Sequence, residues 1–141
     1  MRSFWDRIRH TVMFETIALS IVAVFGSWLT GHSLQEIGAI GLALSLIAMG
    51  WNLVYNWFFD KWYISSRGSK PRTVPIRIMH AVLFEGGLLG VGILLIMWWL
   101  QLGFVDALLL DIGYATFFLV YAFVYNWVYD VVFPVPSTKA A

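Results

Sequence analysis

The chain has 141 residues, 60% of them hydrophobic and only 12% charged, with a formal net charge of +1 and no cysteine. That much apolar surface cannot be hidden inside one small soluble core, which excludes an ordinary water-soluble domain and puts the chain in a bilayer. The missing cysteine rules out disulfides and thiolate sites, and the near-even charge balance gives no reason to expect a nucleic-acid partner.

A lipid span needs about 20 mostly apolar residues, and four stretches meet that length: 11–29, 37–59, 81–102 and 107–133. The expected fold is therefore an all-α membrane protein with four transmembrane helices. The first span is approached through Arg2, Arg7 and Arg9 in "RIRHTVMFE" (7–15), and it contains Glu15. Its apolar run exceeds the ~7–15 residues of a cleavable signal, so it is expected to stay in place as a helix. The turn "TGHSLQE" (30–36) leads into the second span, which closes on "WNLVYNWFFD" (51–60). There Asn52, Asn56 and Asp60 recur every fourth residue and form one polar stripe. The segment "SSRGSKPRTVP" (65–75) reads as a linker between two units, 1–64 and 76–141.

The third span opens with "RIMHAVLFE" (77–85) and continues through Gly86 and Gly90, a G-x-x-x-G spacing that permits close helix contact. After the turn "QLGFVD" (101–106), the fourth span closes on "YAFVYNWVYD" (121–130). Positive residues concentrate before the first span, in the stretch between the second and third spans (Lys61, Arg67, Lys70, Arg72, Arg77) and, as Lys139, after the last, whereas the two short turns have none. Cytoplasmic loops carry such an excess, so both termini and the linker are expected on the cytoplasmic side. Trp28, Trp98 and Trp99 fall near one membrane boundary and Trp57, Trp62 and Trp127 near the other, as an aromatic belt requires.

The chain aligns with itself at an offset of 70 without a gap. Arg7, His10, Phe14 and Glu15 match Arg77, His80, Phe84 and Glu85, and Tyr55, Asn56, Trp57 and Asp60 match Tyr125, Asn126, Trp127 and Asp130. Each half is thus a helical hairpin, and the two are expected to be parallel repeats about an axis along the membrane normal. One departure stands out: the counterpart of Asn52 is Ala122.

A carboxylate inside a span is costly, by ~2.5–3.5 kcal/mol on insertion scales, so it normally faces the bundle interior or a water-filled cavity. Glu15 and Glu85 lie about four residues inside their spans, or ~6 Å, shallow enough for water to reach and deep enough to be partly desolvated. Such a group can hold a proton or, when ionised, attract an organic cation, but cannot do both well. That competition is a minimal mechanism for exchanging protons against cationic substrates. In each hairpin the Arg stands at a helix start and the Asp at a helix end, and the helix dipole disfavours both. Pairing of Arg7 with Asp60 and Arg77 with Asp130, or the crossed arrangement between repeats, would offset this.

With Arg7 level with Asp60 in antiparallel helices, Asn52 falls level with Glu15 and Ala122 with Glu85. This points to Glu15 as the main coupling residue and Glu85 as a supporting one. His10, about 140° around the helix from Glu15, and His80 suit gating, pairing with Asp or interfacial packing. The spacing of His10 and Glu15 does not suit a zinc pair, so no metal or other cofactor is expected. Asn52, Asn56 and Asn126 are candidates for the substrate pathway. Trp51, Tyr55 and Tyr121 lie inward of the belt, where aromatic faces attract organic cations. Four helices enclose little volume, so a homodimer is expected. No nucleophile and base recur at a usable spacing, so the chain does not read as an enzyme.

The paired "RIRHTVMFE" and "RIMHAVLFE", each with a "VYNW" hairpin end, resemble the bacterial transmembrane pair domains of the proteobacterial antimicrobial compound efflux (PACE) family. The resemblance covers nearly the whole chain, with all four motifs in order. It implies an exporter of the bacterial inner membrane, driven by proton exchange, for cationic biocides such as chlorhexidine and for short diamines. The family's key carboxylate maps onto Glu15. A small multidrug resistance-type exporter would share the helix count and a carboxylate in its first helix but not the 70-residue repeat. A non-transporting membrane scaffold or envelope-stress protein would use the same ion pairs only to assemble.

Overall fold

The structure is a computed structural model in which residues 2–135 are described. Its four helices are α1 (Phe4–Thr30), α2 (Leu34–Arg67), α3 (Val74–Leu100) and α4 (Phe104–Val132). All four are long and apolar enough to cross a membrane. They outrun the apolar stretches because the polar ends of each span continue the helix. The 34 residues of α2 rise roughly 50 Å, against ~30 Å of hydrocarbon. Lys139 lies outside the described residues.

Each helix end has a local cause. Ser3 caps α1 by accepting the Asp6 N–H, and Gly31, at φ 73°, ends it by returning its own N–H to the Ser27 carbonyl. Only glycine adopts that left-handed backbone without a steric cost. Ser33 and Glu36 open α2 with a capping box: the Ser33 N–H donates to Glu36 Oε2 and the Glu36 N–H to Ser33 Oγ. The connection expected over 65–75 is shorter in the structure, since α2 runs to Arg67 and α3 begins at Val74. Pro75 fits the first turn of α3, where the N–H it lacks would have no helical partner.

The chain packs as two compact units that do not follow the repeat boundary. The first comprises residues 2–41 and 113–135, the second residues 42–112. In the first, α1 packs against the beginning of α2 near their turn, where Ile37 presses on Gly26 and Val22 and Leu19 press on Gly41. The rest of α1 lies against the last part of α4. In the second unit, the last part of α2 lies against the beginning of α3, around buried Phe59, Tyr63 and Ile76. Large apolar side chains such as Trp28, Phe123, Trp98 and Leu119 stay exposed on the helix surfaces. That is the reverse of a soluble protein, and it is what a bilayer, as apolar as leucine, permits.

Candidate functional site

Each unit contains one copy of the same interlock. In the first unit the Tyr125 hydroxyl donates to the His10 carbonyl at 3.0 Å, and Tyr121 donates to the Phe14 carbonyl at 2.9 Å. In the second, Tyr55 donates to the His80 carbonyl at 3.0 Å and the Trp51 indole to the Phe84 carbonyl at 3.0 Å. Every donor and its acceptor are thus shifted by 70 residues. The four-residue spacing of donors on one helix and acceptors on the other brings successive turns of antiparallel helices together. The motifs H-x-x-x-F-E and Y-N-W therefore face each other, and each upper clasp closes on the residue just before a glutamate.

The histidines extend the interlock. His10 Nε2 lies 2.8 Å from Asn126 Oδ1, and His80 Nε2 lies 2.9 Å from Asn56 Oδ1. An amide oxygen only accepts, so Nε2 carries the hydrogen in both rings. His10 meets Tyr125 edge-on at 5.1 Å and Tyr129 at 4.6 Å, and His80 meets Phe59 edge-on at 4.4 Å. Removing the hydroxyl in Tyr55→Phe or Tyr125→Phe should lower stability by a similar ~1 kcal/mol, the usual net worth of such a bond. Thermal unfolding of the two variants in detergent checks that the clasps are equivalent; a loss in one variant only would refute it.

The ion pairs differ from the expected ones. Asp60 pairs with Arg72 and Asp130 with Arg2, while Arg7 and Arg77 are exposed. Arg77 Nε instead donates to the Arg72 carbonyl at 3.2 Å. The partners Arg2 and Arg72 precede the capping residues Ser3 and Thr73. Outside the helix, a guanidinium can fold back to a neighbouring helix end without facing its own helix dipole. Arg2 also bonds Asp6 at 2.7 Å, and the two aspartates, Asp6 foremost, raise the pKa of a guanidinium that is charged in any case.

The two copies are not identical. Trp51 lies so close over Gly87 that a β-carbon there would stand 2.3 Å from its ring; the counterparts are Tyr121 and Ile17. In the second unit Asn52 steadies the Asn56 amide, which donates to the Asn52 carbonyl at 2.7 Å and side-chain oxygen at 2.8 Å. The change to Ala122 therefore alters the support of the histidine's partner. Within the first unit the helix beside Glu15 is α4, with Tyr121 in electrostatic reach. In that unit Tyr129 accepts from Arg9 Nε at 3.0 Å and donates to Asp6 at 2.8 Å, where the second unit has the apolar pair Phe59 and Ile76. Glu15 is half-buried and Glu85 exposed.

An apolar groove of about 300 Å³ in the second unit is lined by Tyr55, Phe58, Phe59, Trp62, Met79 and Leu83. Among the described residues, no cluster of three His, Asp or Glu could hold a metal ion. One acid escapes the sequence reading: Asp111, in "LLLDIGY" (108–114), is buried. Its signal was a lone carboxylate four residues inside the last apolar stretch, as deep as Glu15 in the first. Gly41 stands at the equivalent place in the first repeat, so the repeat gives it no echo.

Four helices of spanning length, clasped through paired polar motifs, define a multi-pass membrane protein of the transporter class. The chain belongs to the chlorhexidine efflux transporter (PACE) family: the model described as "BTP: Chlorhexidine efflux transporter" matches residues 2–64 and again 72–135. The resemblance carried by the paired motifs is thereby borne out, together with the tandem repeat. The chain is 42% identical over 129 residues to a short-chain diamines transporter of Vibrio parahaemolyticus, covering 92% of this chain and 91% of the relative. Proteins of the same description from Acinetobacter baumannii and Acinetobacter baylyi are each 34% identical, over 96% and 89% of this chain and 94% and 88% of theirs. No solved structure matches.

Proposed function

We propose that the protein is a proton-coupled exporter of cationic compounds, chlorhexidine-like biocides and short-chain diamines, in the bacterial inner membrane. Both termini and the linker lie on the cytoplasmic side in this reading, as their positive charge favours. Glu15 is the group that proton and substrate share. The observation that carries this assignment is the half-buried carboxylate of an apolar helix, one residue beyond the Tyr121–Phe14 clasp. Its echo Glu85 is exposed, which supports a secondary role. The diamine-transporter descriptions of the relatives support a cationic substrate.

In each unit the amide and aromatic set, Asn126 and Tyr121 or Asn52, Asn56, Trp51 and Tyr55, offers a cation both polar oxygens and ring faces. A desolvated ring face contributes ~2 kcal/mol. Gly86 and Gly90 have open space where a β-carbon would stand, which supports a homodimer packed on this face of α3.

Protein reconstituted in liposomes with an imposed pH gradient tests the reading against a panel of diamines and chlorhexidine. Cation movement should follow the proton gradient and stop when a protonophore collapses it. Movement indifferent to the gradient would exclude proton coupling, and no movement of any cation would favour a scaffold.

A further inference from the structure

Asp111 is 7% exposed, and its buried Oδ2 has no hydrogen-bond partner among the described residues. It lies directly on the backbone of α3: a β-carbon at Gly92 would stand 2.4 Å from Oδ2 and 2.8 Å from Oδ1. In the same unit Ile93, Ile96, Ala107 and the hydroxyl-bearing Ser45 are buried. Residues 86–100 of α3 and 42–50 of α2 contain no titratable side chain. On α4 itself the nearest are Asp106, which is exposed, and Tyr114, whose hydroxyl donates to the Gly41 carbonyl. An ionised carboxylate with a buried, unpaired oxygen meets no counter-charge on these stretches, so the seat suits the neutral acid.

A purely structural acid is the competing explanation, and the repeat weighs against it. The counterparts of Gly92 and Asp111 are Val22 and Gly41, and there Val22 packs on Gly41, its Cγ1 3.2 Å from where a β-carbon would stand. The same small-on-large contact is made with the roles exchanged and with a hydrocarbon side chain. Packing at this level of the hairpin therefore does not require an acid, and the second repeat has one anyway. Nor is there room for a bulky cation between the carboxylate and Gly92. The ligand that fits is a proton.

We propose that Asp111 is a second proton-carrying carboxyl of the transport cycle, a latch that seats on Gly92 when protonated and leaves that seat when it gives its proton to water. Only an O–H bond is broken and re-formed. The latch holds the end of α3 to the beginning of α4, so its release loosens this end of the second hairpin once per cycle. The proposal rests on the proton-coupled reading above and adds a proton site to Glu15.

The test uses full-length protein in liposomes with two variants: Asp111→Asn, which keeps the shape of the neutral acid, and the double variant Gly92→Val with Asp111→Gly, which copies the first repeat. Infrared spectra at neutral pH should show a protonated-carboxyl band in the wild type that is lost in both variants. Both should unfold at the wild-type temperature and bind diamine with wild-type affinity, while gradient-driven transport falls to the protein-free background. The proposal is overturned if no such band is lost, if either variant transports like the wild type, or if both fail to fold, which would mark the acid as structural. The infrared result stands even if wild-type transport ignores the pH gradient, so failure of the latch and failure of proton coupling are separately visible.

Discussion

Glu15→Gln should bind cationic substrate roughly 10–100-fold more weakly than the wild type and lose gradient-driven transport, while its thermal unfolding stays close to that of the parent. The magnitude follows from losing a hydrogen bond to a charged group, worth ~1.5–3 kcal/mol, with each 1.4 kcal/mol a factor of ten. The fold should persist because glutamine keeps the shape, and because the clasp at this level is made by the Tyr121 hydroxyl and the Phe14 carbonyl. Glu85→Gln is the matched control. Its parent side chain is exposed, so the loss should be clearly smaller. Equal losses would mean that the two repeats share the chemistry evenly.

The second large effect concerns packing. Gly87→Ala places a β-carbon 2.3 Å from Trp51 Cζ2, a separation that real contacts do not reach. The indole must move, and its bond to the Phe84 carbonyl goes with it. Overpacking of this kind costs ~1–3 kcal/mol. Trp51→Tyr should restore much of the loss, because the first repeat pairs Tyr121 with Ile17 at the same positions. A double-mutant cycle read by thermal unfolding should therefore give a favourable coupling between the two changes. Additive losses would show that Gly87 and Trp51 are not one packing unit.

Much of this architecture was legible because the bilayer imposes simple demands: four apolar runs of spanning length became four helices, and the 70-residue echo became two copies of one interlock. The partner of each helix was not legible. The motif that α1 presents to its neighbour occurs again in α3, and the motif that answers it stands at the ends of both α2 and α4. Sequence alone therefore permits pairing within a repeat as readily as across repeats. Of the two arrangements considered, the straight α1–α2 hairpin gave the Arg7–Asp60 pair and set Asn52 level with Glu15, and the crossed one joined each Asp to the start of the other repeat. The structure sends the first half of α1 to α4 and pairs Asp60 with Arg72, which precedes α3, and Asp130 with Arg2, which precedes α1. The tyrosine clasps were hidden for a related reason: their acceptors are backbone carbonyls, which leave no mark in the sequence. Asp111 was hidden by the repeat itself, since a comparison that rewards matches passes over a residue whose counterpart is glycine.

Competition at Glu15 is the core of the account, and proton release on substrate binding measures it directly. Purified protein in weak buffer near neutral pH is titrated with a short diamine while a pH-indicator dye is followed. The wild type should release protons in proportion to bound substrate, and Glu15→Gln should release none even where substrate is added to saturation. If Glu15→Gln releases as many protons as the wild type, proton and cation do not share that carboxyl, and the exchange mechanism is wrong.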